Sequence, residues 1–582
     1  MVVRRRPQRG HRYTESPLLQ LALQGWRSRM VGLLLMAAFL VLLLRAFYLQ
    51  VINNDFLQEK GDSRYLRDIE ISASRGKVTD RHGDMLAVST PMRSIWAIPA
   101  DARTMSAEQK RQLAALVELK PRELNARLAS EKTFVFLQRQ VPPQVAEQVR
   151  ALKLPGVHQE KEYRRYYPSG EMTAHLVGFT GVDDKGLEGV ELAFQQSLRG
   201  HPGARTVIRD RRGNIIEDVG ATRPPRDGND IALAIDAKIQ YLAYSHLKAT
   251  VAEHEAKGGG IIVLDTRTGE VLALANWPTY NPNNRAKLSG EQLRNRAVTD
   301  TFEPGSTLKP FTVALGLEQG KYRYDSLIDC GPGRITVGRS VISDTHANGE
   351  LTVAEVIQKS SNVGTTKIAL SLPRESMWEM FDSLGLGRQP ALGFPGEAAG
   401  RVRPWKNWRP IEQATMSYGH GISLSLIQLA RAYSVFARDG DLVPVSLLRV
   451  DAPVVRGTPV FSAQTAREMR AMLELVVQPG GTAPKAAVPG YRVGGKTGTA
   501  HKLEGGAYAN KYIASFVGIG PMSDPRLIVA VMIDEPGGKQ YYGGQIGGPA
   551  FSQVMAGALR TLGVPPDAPL QVATTNDGKG RL

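Results

Sequence analysis

Ser306 and Lys309 stand three residues apart in "TFEPGSTLKPFTVALGLEQG". A serine hydroxyl attacks an acyl carbon only once a base removes its proton. A lysine one helical turn away can be that base. At its reference pKa of ~10.4 the amine is neutral in only about one molecule in ~2,500 at pH 7, so burial and nearby positive charge must lower it. Lys496, in "KTG", is a candidate for that second charge. Between them, "KSSNVG" places Ser360 and Asn362 in S-x-N spacing. S-x-N follows Ser306 by 54 residues, and K-T-G follows S-x-N by a further 136. Each of these elements is weak alone, and a serine with a lysine base is suited to nucleophilic catalysis.

Competing chemistries fit less well. Gly490 to Thr497 matches G-x-x-x-x-G-K-[ST], the phosphate-binding loop, and Asp534 ends a later apolar run as a magnesium ligand would. That loop needs a buried strand before it and a helix after it. Here "VVQPGGTAPKAAVPG" precedes and "TAHKLEGGAYANK" follows, so nucleotide binding is set aside. S-x-x-K also occurs at Ser74–Lys77 and Ser245–Lys248. Gly76 breaks the first, and the second reads as the solvated face of an amphipathic helix. The ten histidines show no metal-ligand spacing, and His175, His346 and His420 read as structural. The lone Cys330 reads as a small core residue and cannot form an intramolecular disulfide. The expected site therefore needs no metal and no cofactor.

Two kinds of element must position these residues. Pro304-Gly305 breaks the chain before Ser306, and an apolar run follows, so Ser306 is expected in the first turn of a buried helix, at its positive dipole end. "GGGIIVLDTRTGEVLALANW" reads as a β-hairpin turning at "RTGE", and "YIASFVGIGP" and "RLIVAVMIDEP" as adjacent strands. With "AKIQYLAYSHLKATVAEHEAK" as a long helix, residues 228–563 read as an antiparallel sheet flanked by helices. Residues 53–227 are rich in Arg, Gly and hairpins, with a helix after the capping box Ser106–Gln109 and another over Pro142–Leu152. The tail 564–582 has a disordered composition.

The net charge of +17 would ordinarily suggest an acidic partner. Part of it is local: seven arginines precede residue 30 against one acid, Glu15. They form a basic arm, 1–29, ahead of the uncharged "MVGLLLMAAFLVLLL". Fifteen residues span only ~22 Å, but continuing to Ile52 gives ~34 Å, enough to cross a bilayer if Arg45 snorkels. No small-x-small cleavage site follows, which disfavours a signal peptide. Residues 30–52 are thus expected to anchor the chain, with the arm cytoplasmic and the remainder outside. That side of the membrane holds little ATP, a second reason against nucleotide binding. No nucleic-acid partner is expected.

The ordered set "FEPGSTLKP", "KSSNVG" and "VGGKTGTAHK" resembles the penicilloyl-serine transferases, the penicillin-binding proteins and active-serine β-lactamases. "SRGKVTDRHGDMLAVS", "RRYYPSGEMTAHLVGF" and "KGLEGVE" are similar to the N-terminal module of the class B penicillin-binding proteins, and "SYGHGISLSLIQLARAYSVFARDG" to their transpeptidase domain. The likeness runs from Arg27 to about Phe551. The short arm, "RAFYLQVIN" and "LQEKGDSRYLRDIEISASRG" resemble the division-specific branch more than the elongation-specific one. His420 departs from the pattern, since relatives often carry an aromatic residue there.

The resemblance implies an α+β multidomain fold: one transmembrane helix, a β-rich pedestal (dimerisation-like) domain, and a β-lactamase-like transpeptidase domain. It implies a peptidoglycan D,D-transpeptidase of septal wall synthesis, cross-linking a D-Ala-D-Ala donor to an amine acceptor and acylated by β-lactams. Ser306 would be the nucleophile and Lys309 the base. Ser360, held by Lys309 and Lys496, would relay protons, and Asn362 would hold the substrate amide. Lys496, Thr497 and Thr499 would meet the substrate carboxylate, with the backbone N–H groups of Ser306 and Thr499 as oxyanion hole. Gly498 would let a peptide add to the strand edge, and Tyr541 and Tyr542 would form an aromatic wall or serve packing alone. Implied partners are the membrane, a SEDS-type (FtsW-like) glycosyltransferase and other division proteins, at the septum of the inner membrane. An elongation-type transpeptidase, a D,D-carboxypeptidase or β-lactamase, and a scaffold for wall-synthesis proteins stay open as alternatives.

Overall fold

The computed structural model describes residues 25–57, 60, 66–209, 215–538 and 540–568. The basic arm up to residue 24 and the tail beyond 568 lie outside the described residues. The chain divides into two compact units, one comprising residues up to Ile71 with Pro202–Pro225, the other Ser72–His201 with everything from Arg226.

In the first unit, helix α1 (Gly25–Phe47) runs on through a wider turn to Ile52, giving a 28-residue apolar segment with no buried residue. It begins five residues before the apolar run itself. Strand β1 (Leu66–Ile71) heads a three-stranded antiparallel sheet, completed by two strands from the 202–225 segment.

The second unit opens with β2 (Val78–Thr79) and the 13-residue β3 (Met85–Ala97), joined by a turn at Gly83 with φ +95°. Helix α2 (Ala107–Leu116) carries the Ser106–Gln109 capping box, both reciprocal bonds being made, and α3 (Pro121–Leu128) follows. Strand β4 (Val135–Val141), helix α4 (Pro143–Ala151) and β5 (Val157–Tyr166) complete a small α/β layer. β4 and β5 flank β3, and Ile95, Leu137, Leu113, Leu124 and Val149 form its core. Two strands of the first unit, β6 (Gly203–Arg209) and β7 (Ile215–Arg223), intervene in sequence. Then β8 (Ile231–Ala232) pairs in parallel with β2. The composition break at 227/228 thus precedes the last strand of this sheet, because turn-rich residues mark a loop and not the end of pairing. Glu191 is fully buried between Arg75 and Arg165, at 2.5 and 2.6 Å.

The larger core surrounds a five-stranded antiparallel sheet. Helix α5 (Ala237–Glu253) is capped by Asp236 and leads to the hairpin β9 (Gly258–Asp265) and β10 (Val271–Trp277). Helices α6 (Lys309–Glu318), α7 (Val353–Lys359), α8 (Asn362–Ser371) and α9 (Ala463–Leu475) precede strands β11 (Gly494–Glu504), β12 (Ala507–Gly520) and β13 (Leu527–Asp534). The long α10 (Gly543–Thr561) closes the domain. The strand order is β10-β9-β13-β12-β11, so β11, which carries K-T-G, is an edge. Every residue of β9 and β13 is buried. Unbroken apolar runs such as "LIVAVMID" are what a strand covered on both faces requires. Helices α5 and α10 pack on the sheet, as do helix Leu426–Ala432 and the turn before α6.

The expectation of a disordered tail from Val564 is corrected for its first residues. Val564 is buried and its carbonyl accepts from the Tyr491 hydroxyl. Asp567 accepts from the backbone N–H of Arg492 at 2.7 Å and of Ser523 at 3.1 Å. Polar composition cannot distinguish a free segment from one whose polar atoms are spent on the body's own loops.

Candidate active site

Ser306 does not lie in the α-helix proper. It sits in a 3₁₀ turn, Gly305–Leu308, and Lys309 is the first residue of α6. A 3₁₀ turn repeats every three residues, so positions i and i+3 eclipse and Ser306 and Lys309 face the same way more closely than an α-helix would allow. Gly305 takes φ +56°, which starts the turn. The turn is held from within and without: the Thr307 hydroxyl donates to the Pro304 carbonyl at 2.8 Å, and the Tyr433 hydroxyl to the Thr307 carbonyl at 2.7 Å. Ser306 itself is half-buried. Its N–H group belongs to the first turn, where no helical partner exists.

Ser360 occupies the junction of α7 and α8. It ends α7 in the left-handed conformation, φ +60° and ψ +40°, and Ser361 then caps α8 through the Gly364 N–H at 2.8 Å. A non-glycine residue held there costs on the order of 1–3 kcal/mol, the kind of strain found where a side chain must be aimed. The Ser360 hydroxyl meets Lys309 Nζ at 3.1 Å and Lys496 Nζ at 2.9 Å, and its carbonyl also accepts from Lys309. Lys496 further reaches the Thr497 hydroxyl at 3.2 Å. Three segments separated by 51 and 136 residues thus meet on one oxygen.

Both lysines are fully buried. Desolvation pushes the Lys309 amine down to about 7, against a smaller opposing pull from the Asp344 carboxylate. Burial, then the positive charge of Lys309, pushes Lys496 well below the ordinary lysine range. Both amines reach the one Ser360 oxygen, so a charge on Lys309 disfavours a charge on Lys496. An amine at about 7 is neutral in roughly half of the molecules at pH 7, some 10³-fold more than a solvated lysine.

Asp344 is a site residue that pattern reading missed. Its carboxylate accepts from the Ser361 hydroxyl at 2.6 Å and the N–H groups of Asn362 and Val363 at 2.5 and 3.0 Å. It fixes the S-x-N turn beneath the lysines, yet lies in a loop with no motif. The Asn362 amide donates to the Ser343 carbonyl at 2.8 Å, which orients its side-chain oxygen.

Thr497 and Thr499 stand along edge strand β11. Thr497 shares a hydrogen bond with Thr482 at 3.2 Å, and Thr499 accepts from the Gly543 N–H at 3.1 Å, which ties the start of α10 to the strand. Gly498 has a tighter constraint than the approach of a peptide. A Cβ there would lie 2.3 Å from Ser515 Oγ and 2.7 Å from the Pro304 carbonyl oxygen. The glycine lets β11 lie against the turn that carries Ser306.

Tyr541 and Tyr542 are adjacent rings, 4.5 Å between centroids, and Tyr541 stacks on Tyr512 at 4.2 Å. Tyr512 in turn lies 4.5 Å from His501. The two tyrosines named from sequence thus belong to a row that runs onto β11 and β12, with Tyr542 nearly half exposed at its end. Of the histidines, His175 is buried against the Gln292 carbonyl and pushed down to about 4 by desolvation, as a structural residue is. His420 instead lies beside the site, where burial and the Lys309 charge hold it below its usual range against the pull of Glu303. Among the described residues no group of three or more His, Cys, Asp or Glu is arranged to hold a metal ion.

The arrangement is a serine on a 3₁₀ turn, two buried amines on one serine hydroxyl, and a sheet-edge strand alongside. Such an arrangement suits acyl transfer through a serine ester. Comparison with known proteins shows the family. Residues 259–556 match the model of the penicillin binding protein transpeptidase domain, and residues 70–233 that of the penicillin-binding protein dimerisation domain. The chain is 43% identical over 551 residues to the peptidoglycan D,D-transpeptidase FtsI of Escherichia coli K12, covering 94% of this chain and 93% of that one. It is 47% identical over 540 residues to a probable peptidoglycan D,D-transpeptidase, PenA, of Neisseria meningitidis, covering 92% of each. The apo transpeptidase domain of Burkholderia pseudomallei penicillin-binding protein 3 superposes with a TM-score of 0.54 at 53% identity, covering 58% of this chain and 98% of that one.

Proposed function

The chain belongs to the class B penicillin-binding proteins, and we propose that it cross-links peptidoglycan stem peptides during septal wall synthesis, as a serine-type D,D-transpeptidase acting through Ser306. The observation that supports the residue assignment is the meeting of Lys309 and Lys496 on the Ser360 hydroxyl, Lys309 being the residue that follows the Ser306 turn.

In the donor half-reaction, neutral Lys309 takes the Ser306 proton and the oxygen attacks the penultimate D-Ala carbonyl. The negative charge gathers between the backbone N–H groups of Ser306 and Thr499, donors worth roughly 3–4 kcal/mol each in such sites. The peptide C–N bond breaks, the leaving amine takes a proton relayed through Ser360, and D-Ala departs. In the acceptor half-reaction an amine attacks the ester. The new C–N bond forms, the C–Oγ bond breaks, and the amine's proton returns through the same relay to Ser306. Lys496 with the Thr497 and Thr499 hydroxyls receives the donor's terminal carboxylate. Asn362 meets the donor amide, and the free edge of β11 takes the donor as an added strand. β-Lactams enter the same path and stop at the ester.

The apolar α1 anchors the chain with the arginine-rich arm in the cytoplasm and the catalytic unit outside the inner membrane. The FtsI name of the Escherichia coli relative supports a role in septal wall synthesis, and the partner proposed there is an FtsW-like glycosyltransferase. Labelling of the full-length protein with fluorescent penicillin tests the assignment. Wild type is expected to label and Ser306→Ala is not. Labelling that survives the substitution would show that another serine is the nucleophile.

A further inference from the structure

The small α/β layer of β3, β4, β5 and helices α2 to α4 has a core of its own, separate from the one around the catalytic sheet. A groove of about 490 Å³ opens at its side, between α4 and the start of β5. Ala146 and Val149 of α4 form one wall, Val157 and Gln159 of β5 the other, and Leu154 lies in the loop that joins them. Gln159 reaches across, its side-chain amide donating to the Ala146 carbonyl at 2.5 Å.

Among the described strands β5 pairs with β3 alone, so its other edge is open. The register decides which groups point there. The Ile98 N–H donates to the Gly156 carbonyl at 2.8 Å, which makes Ile98 and Gly156 a hydrogen-bonded pair. In an antiparallel ladder such pairs alternate with pairs whose N–H and C=O groups face outward. Trp96 and His158 are then bonded to each other, and Ile95 and Gln159 are not, so Gln159 turns its backbone N–H and C=O to the open edge. Further along this edge the Lys161 carbonyl already accepts from the Ser72 hydroxyl at 2.7 Å. The open stretch is thus Val157–Gln159, the stretch that lines the groove. An open edge faced by a helix is the geometry in which an extended peptide adds to a sheet, with backbone bonds on one side and side-chain packing on the other.

Charge selects the occupant. Arg93, Arg150 and Lys153 stand around the groove against one acid, Glu147. Glu147 lies 3.4 Å from Arg150, while Arg93 and Lys153 have no ion-pair partner among the described residues. Lys153 also breaks a local rule. It holds the left-handed conformation, φ +49°, just past the C-cap Leu152 of α4, a place that glycine usually fills. Folding alone gains nothing from a lysine there. The rest of the chain is in keeping: seven arginines and one acid in the arm account for six of the seventeen net positive charges, leaving eleven elsewhere. We propose that the groove is a docking site for an extended, acidic segment of a partner protein, which pairs with the β5 edge at Gln159 and sets its carboxylates against Arg93, Arg150 and Lys153. Such docking is independent of the transpeptidase reading above.

The probe is a fluorescein-labelled hexapeptide of alternating aspartate and valine, and its anisotropy is read on full-length protein in detergent. It is expected to bind wild type and to be released by added salt. Arg93→Gln combined with Lys153→Gly should weaken binding about tenfold, as loss of charge partners at an interface does. Glycine suits the left-handed position, so Tm should not fall, which separates weaker binding from unfolding. Strand pairing is read separately, because N-methylation of alternate peptide nitrogens blocks one edge of the peptide. One of the two methylation patterns should abolish binding, and the other should leave it within about threefold. Prior treatment with penicillin, which occupies the catalytic cleft, should change nothing. Failure to bind wild type, or binding that the double substitution leaves within about twofold, would overturn the proposal. Equal effects of the two methylation patterns would overturn it too, by showing a surface that holds anions without pairing. Loss of binding after penicillin would do so by placing the peptide on β11. A sedimenting mass that doubles with concentration in wild type, and not in the double variant, would make a second copy the occupant and sink the proposal as well.

Discussion

Gly498→Ala tests whether the K-T-G strand and the nucleophile turn are one packed unit. The added methyl would meet the Pro304 carbonyl oxygen at 2.7 Å, Ser515 Oγ at 2.3 Å and Thr307 Cγ2 at 3.0 Å. The Ser515 side chain can turn away, but the Pro304 oxygen is backbone, one residue before Gly305. Ordinary contact starts near 3.4 Å, so β11 and the turn must part by about 0.7 Å. Reacting groups misplaced by ~1 Å lose on the order of 10²-fold in rate, so acylation by penicillin should slow by roughly 10- to 100-fold. Overpacking costs about 1–3 kcal/mol, which in a domain of this size lowers Tm by roughly 2–10 °C. The measurements are the second-order acylation rate of full-length protein and its Tm without ligand. If acylation slows while Tm moves by less than about 1 °C, the glycine serves only the approach of a peptide to the edge. If the rate stays within about twofold, the packed-unit reasoning is wrong.

Three further outcomes follow from the same geometry. Because burial holds Lys309 at about 7, acylation should rise with pH through that value and then level off, and a stopped-flow pH profile with its midpoint near 10 would contradict this. The sign for stability is the same. Between about 7 and ~10.4 the unfolded chain binds a proton on this lysine that the folded chain does not, so its contribution opposes folding and fades as pH rises across that window. Ser360→Ala removes the oxygen that both amines share and should slow acylation by about 10²–10⁴-fold with the circular dichroism spectrum unchanged. Glu191→Gln leaves Arg75 and Arg165 buried without their counter-charge and should cost about 3–5 kcal/mol in denaturant unfolding, while a loss under about 1 kcal/mol would show the trio to be solvated.

Much of the molecule was legible in the sequence where the causes are local. The apolar run after seven arginines, the capping box at Ser106 and the β9–β10 hairpin each depend on residues within a turn or a strand of one another. The S-x-x-K, S-x-N and K-T-G set was legible for a different reason. S-x-x-K occurs three times and each motif alone is weak, but the three in this order resemble the penicilloyl-serine transferases. The tertiary structure decided everything that depends on approach. It brought Lys309 and Lys496 onto Ser360, buried both amines, placed Asp344 beneath the S-x-N turn and opened the groove between α4 and β5. It also put Ser306 in a 3₁₀ turn, gave Gly498 a packing role and held Asp567 against the body. A pKa depends on what surrounds an amine, and a close contact on which backbones meet. Those neighbours come from segments more than 50 or 100 positions away, with no periodicity to announce them. Residue types and their order were therefore set by the chain alone, and reactivity by the way the chain closes on itself.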